Sequence, residues 1–236
     1  MSGAKDESKY FNFPVELLQN LLIDKRTALN NIFNYAVCAH ASKLEFGNKL
    51  NKFKDSLKFF GVISGNNAKS MESGELLLDS ILDDGAKVGI SKEIWFDYYK
   101  NEKTEFEIVQ LLAFLAIKSI VKYKPYASIT NAFMLARMDG KGYSVKEYTD
   151  LSKEIFKYAN EYQTKKIKRA LSESWGLITY SYRLHGFYVS FTLSLDELVL
   201  IAERNRKKNK DLAAKKASED ARKKALATIY GTPLRE

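Results

Sequence analysis

The side chains best suited to covalent or metal chemistry are scarce, with one cysteine and two histidines in 236 residues. Cys38 and His40 are two positions apart in a helical stretch, so their side chains point to different sides of the helix and cannot form a thiolate and its base. His185 falls in a turn, away from both. Asp79, Asp83 and Asp84 could bind a divalent ion, but no ligand pattern accompanies them, and a loop or helix-end role fits better. The chain has no Gly-x-x-x-x-Gly-Lys phosphate loop, no Gly-x-Gly-x-x-Gly turn and no Gly-x-Ser-x-Gly elbow. Neither an enzyme nor a cofactor or metal site is expected.

Cationic chemistry is better supplied. The formal charge is +9, from 38 Lys and Arg against 29 Asp and Glu. Lysine and arginine displace the counterions condensed on a phosphate backbone, so such an excess suits a polyanionic partner once the charge is located. One concentration lies in the helix expected over Thr164 to Ser174. There Ile167, Ala170 and Leu171 share one face, while Lys165 and Arg169 centre the opposite one with Lys166 and Lys168 beside them. A second lies in Glu203 to Glu236, which holds eleven basic residues and five acidic ones. Each could equally be an ordinary solvated face.

The elements that must position these groups are mostly helical, because only three prolines and twelve glycines interrupt a chain that is 45% hydrophobic. Phe13-Pro14-Val15-Glu16-Leu17-Leu18 places proline in a first helical turn. Asp24 can cap a helix carrying Ala28, Leu29, Ile32, Phe33, Ala36 and Val37 on one stripe. Lys49 to Phe60 follows as another helix, ended by glycine, then a short apolar helix from Leu76 to Leu82 and an aromatic knot from Ile94 to Tyr99 that reads as a core contact. Thr104-x-x-Glu107 is a capping box opening a helix apolar nearly all round, which belongs in a core. Ser128 caps a shorter helix, Ile129 to Met138, and Ser144-x-x-Glu147 opens an inserted helical stretch before the basic helix. Leu177 to Arg183 and Phe187 to Leu193 alternate as the strands of a β-hairpin turning at Leu184-His185-Gly186. Ser194-x-x-Glu197 caps a last helix. Tyr180, Tyr182 and Tyr188 either pack within the strands or offer a stacking platform for single strands.

The run Lys165-Lys166-Ile167-Lys168-Arg169-Ala170-Leu171 leading into Trp175-Gly176-Leu177-Ile178, preceded by an apolar helix and a short one and followed by the hairpin, resembles the winged-helix family of DNA-binding domains. The resemblance covers residues 104 to 193. It implies that the basic helix enters the major groove and the wing lies along the backbone. Lys165, Lys168 and Arg169 would then face DNA with Lys166 beside them, and Arg183 and His185 would sit at the wing tip. Residues 140 to 160 depart from the family by separating the second and third helices with more than its usual tight turn. The opening Phe13-Pro14-Val15-Glu16-Leu17-Leu18 is faintly similar to that of plasmid replication initiators, which also build on winged helices, but no second clear wing occurs in residues 1 to 100.

The expected fold is mainly α. It comprises an N-terminal helical domain over residues 1–100, a winged-helix domain over 101–203 and a basic tail, helical or disordered, over 204–236. The expected function is double-stranded DNA binding of regulatory or replication and mobile-element type, with the N-terminal helices available for a homodimer or protein partner. The alternative is a structural or protein-interaction role that uses the same scaffold without DNA. A cytoplasmic, reducing setting is expected, because Cys38 has no internal partner and the start lacks the pattern of a signal peptide. No membrane partner is expected, since the most apolar window, Ile108 to Ile117, falls far short of the roughly twenty residues that span a bilayer.

Overall fold

Capping residues set most of the element boundaries. The computed structural model describes residues 7–62, 67–81, 85–181 and 186–230. In chain order these form β1 (Tyr10–Pro14), α1 (Lys25–Ala41), α2 (Lys49–Phe60), α3 (Asn67–Ser80), β2 (Lys87–Ser91), α4 (Lys92–Lys100) and α5 (Glu105–Val121). Then follow β3 (Ala127–Thr130), α6 (Asn131–Met138), the short α7 (Lys153–Phe156), α8 (Glu161–Trp175), β4 (Ile178–Tyr180), β5 (Gly186–Ser190) and α9 (Leu195–Tyr230). The described residues are mainly helical with two small antiparallel sheets, one of order β1-β2 and one of order β3-β5-β4. Among the described residues, no helix is long and apolar enough to cross a membrane.

Asp24 caps α1 by accepting from the Thr27 N–H at 3.0 Å, as its position at the head of an apolar stripe implies. Thr104 and Glu107 form the reciprocal box at the start of α5, and Ser194 and Glu197 repeat it at the start of α9. Four expectations are corrected, the first being the helix expected from Leu76 to Leu82, which is α3 and runs from Asn67 to Ser80. Phe13 and Pro14 end a strand, not a helix: Phe11 and Phe13 both point into the core at a period of two, and Pro14 pairs with Lys87 before a single 3-10 turn at Val15–Leu18. Ser128 lies within β3 opposite Tyr188, and the cap of α6 is Thr130, whose Oγ1 accepts from the Phe133 N–H at 3.1 Å. Backbone pairing with β5 holds Ala127–Thr130 extended, so the helix starts two residues later than propensity suggests. Ser144 makes no box with Glu147; its hydroxyl donates to the Val145 carbonyl at 3.4 Å, and the inserted stretch is a 3-10 turn (Tyr148–Asp150) and α7.

Among the described residues, most buried hydrophobic side chains form one cluster running from Phe11 to Val189, so packing is continuous across residue 100, and a smaller second cluster joins Tyr188 to Leu198 and Ala202. Trp95 of α4 stands at its N-terminal end with its ring 5.5 Å from both Phe11 and Phe33, and its indole N–H donates to the Leu29 carbonyl at 2.9 Å. The Tyr98 hydroxyl donates to the Glu107 carbonyl at 3.1 Å, joining α4 to α5. Leu111, Leu112, Leu115 and Ile117 of α5 are almost fully buried, which makes this helix the central support for the elements on either side.

Candidate nucleic-acid interface

α8 begins at Glu161, three residues before the expected start at Thr164, and Asn160 caps it by accepting from the Gln163 N–H at 2.9 Å. The helix ends at Gly176, whose φ of 65° is the left-handed turn that glycine adopts without strain, and the Leu177 N–H then donates back to the Leu171 carbonyl at 3.2 Å. Thr164, Ile167 and Leu171 are buried, fixing which face turns inward. At its far end Trp175 packs on Phe114 with ring centroids 4.4 Å apart, which locks the helix against α5.

The four basic residues take three different positions. Lys165 and Arg169 are exposed, one turn apart, and pair with Glu161 at 2.6 Å and Glu173 at 2.8 Å. Lys166 turns toward α5 and lies over the Phe106 ring at 4.3 Å. Lys168 turns the other way, toward the sheet, over the Phe187 ring at 4.4 Å and 3.4 Å from Asn131 Oδ1. Burial holds its ammonium below the usual lysine range, with Lys165 adding repulsion and Glu161 opposing it. Lys168 is therefore a half-buried packing residue, not part of the outward row.

Lys165, Lys166 and Arg169 line a shallow groove of about 480 Å³ together with Phe106, Tyr162 and Glu173. Tyr162, 72% exposed, is a member that sequence reasoning missed. Its signal was present: Tyr162 stands four residues before Lys166 and so borders the same side of the helix. The groove offers cations, an aromatic ring and a phenol hydroxyl, a set suited to a sugar-phosphate backbone.

The hairpin follows directly, with Ile178 opposite Ser190 and Tyr180 opposite Tyr188. β5 is its inner strand and pairs on the other side with β3, so the hairpin is fixed to the same core as α8. Phe187 and Val189 point into that core, whereas Tyr188 and Tyr180 pack with Ile178 and Leu193 against Leu198 and Ala202 of α9. These two tyrosines are committed to packing; Tyr182, Arg183 and His185 lie outside the described residues.

The inserted stretch is anchored, not loose. Asp139 accepts from the Ser152 N–H at 3.0 Å and pairs with Lys141, while Lys157 pairs with Glu105 at the start of α5. Elsewhere, Cys38 Sγ donates to the Met71 carbonyl, and His40 Nδ1 lies 2.9 Å from Ser56 Oγ with its ring stacked on Phe59. Asp79 is exposed on α3, whereas Asp83 and Asp84 lie outside the described residues. Among the described residues, no group of three or more His, Cys, Asp or Glu could hold a metal ion. Comparison with protein families, with characterised proteins and with solved structures finds no match for this chain.

Proposed function

We propose that the chain is a double-stranded DNA-binding protein of regulatory or replication and mobile-element type, in which residues 104–193 act as a winged-helix module. One observation carries the reading: the exposed row of Lys165 and Arg169 on α8 is followed at once by a β-hairpin that β3 ties to the same core. α8 enters the major groove, with Arg169 able to fork onto a guanine edge and Lys165 onto phosphate. Surface ion pairs contribute only about 0 to 1 kcal/mol, so Glu161 and Glu173 yield these cations to phosphate at small cost. Lys166 and Tyr162 border the same groove and take the backbone alongside. The N-terminal helices are left as the surface for a second copy or a protein partner.

The test is a shift assay on a labelled duplex over a range of salt concentrations, with single-stranded DNA as competitor. Duplex binding that weakens linearly in log salt is expected. No duplex binding at physiological salt contradicts the reading.

A second reading, protein contact through the same scaffold, is favoured by Glu161 and Glu173, which neutralise the outward row, and by the exposed Tyr162 that borders the same groove.

A further inference from the structure

α9 is one continuous helix of 36 residues, and its first turns pack against the fold. Leu198 and Ala202 are buried against the sheet, and Glu203 accepts from the Tyr180 hydroxyl at 2.9 Å. Tyr180 is the last residue of β4, so α9 leaves the sheet at the end where the hairpin turns. From Arg206 to Leu226 every side chain is exposed. A helix exposed on all sides gains little from packing, so its surface charge is the property that bears on its use.

The charge identifies that use. Residues 204–226 hold ten basic side chains against three carboxylates, Asp211, Glu219 and Asp220. At about 100° per residue, Arg204, Lys208, Lys215 and Arg222 fall within about 40° of one another, flanked by Asp211 and Glu219. Arg204, Lys208 and Lys215 line one shallow groove along the helix. The row extends about 27 Å at 1.5 Å per residue. A duplex presents one phosphate charge per roughly 1.7 Å of its axis, so the row can follow the backbone for most of a turn. A second copy of the helix is a poorer occupant, because the heptad shared by Leu212 and Leu226 has Lys216, Glu219 and Lys223 between them and lacks an apolar seam.

We propose that this row is a second nucleic-acid contact, laid along the phosphate backbone of the duplex beyond the segment gripped by α8. It rests on the DNA reading above and extends it, giving the protein a footprint longer than α8 and the hairpin require.

The full chain is compared with the variant Arg204→Ala/Lys208→Ala/Lys215→Ala/Arg222→Ala on 16-bp and 40-bp duplexes from 50 to 200 mM salt, with circular dichroism checking that helix content is kept. On the 40-bp duplex the variant's slope of log affinity against log salt is expected to be shallower by about 3 to 4, a difference of on the order of 100-fold in salt sensitivity over that range. On the 16-bp duplex the two proteins should agree. Equal slopes on the long duplex, with the unmodified chain still binding, overturn the arm and leave the DNA reading standing. Failure of the unmodified chain to bind either duplex overturns both. Polyglutamate bound as tightly as the 40-bp duplex, and lost in the variant, assigns the row to an acidic protein and overturns the proposal.

Discussion

The Tyr180 hydroxyl donates to the Glu203 carboxylate at 2.9 Å, tying the turn end of β4 to the last docked turn of α9. From Arg206 to Leu226 the side chains beyond this bond are exposed, so the pair ties the basic half of α9 to the hairpin. Tyr180→Phe is expected to cost about 0.5 to 1.5 kcal/mol, the net worth of one hydrogen bond. Hydrogen exchange should quicken at residues 198–203 and stay unchanged in α8. Equal quickening in α8 would show that the hairpin itself had loosened.

A close approach of two helices makes the second prediction. A Cβ on Gly74 of α3 would lie 2.4 Å from Cys38 Sγ and 2.5 Å from the Asn34 carbonyl oxygen of α1. Gly74→Ala therefore forces the helices apart and should destabilise by roughly 1 to 3 kcal/mol. Cys38→Ala does not rescue it, because the backbone oxygen remains. Burial, with Glu75 adding to it, pushes the Cys38 thiol up to about 12. Alkylation at pH 8 should accordingly be slow in the unmodified protein and faster in Gly74→Ala.

The buried helix gives a third. Leu112 is 1% exposed at the centre of α5, and Leu112→Ala should cost about 2 to 5 kcal/mol in a denaturant titration. A loss below about 1 kcal/mol would mean that the site collapses around the missing atoms or that this face is not core.

The paired capping boxes give a fourth. Hydrogen bonds from the Thr104 and Ser194 side chains and backbone amides hold the Glu107 and Glu197 carboxyls below the usual range. A depressed folded value means each carboxylate stabilises its helix start fully above the ordinary glutamate pKa of about 4.3, and loses that contribution as pH falls through the lower folded value. Amide protection at the first turns of α5 and α9 should fade together in that acid window. Fading at neutral pH would contradict the assignment.

The helices and their starts were largely legible, because Asp24, Thr104 and Ser194 each stand before an apolar stripe. The hairpin was legible from its period of two. β1 and β2 were not read, although Phe11 and Phe13, and Val88 and Ile90, alternate in the same way. Five residues are too few to reveal that period while their partner lies some seventy-five positions away, and Pro14 imitated a helix start. On α8 the sequence separated the buried from the outer face, but it could not show that Lys168 turns onto Phe187. That contact depends on where β5 packs, which is a property of the sheet and not of the helix.

The central claim, that α8 and the hairpin bind duplex DNA, is tested most directly by fluorescence anisotropy of a labelled 30-bp duplex with Lys165→Ala/Arg169→Ala, alongside a thermal melt. Both side chains are exposed, so stability should change by less than about 0.5 kcal/mol per site. An affinity loss of roughly 10-fold or more at physiological salt is expected, with the melt nearly unmoved. Unaltered affinity in a variant that melts normally would contradict it.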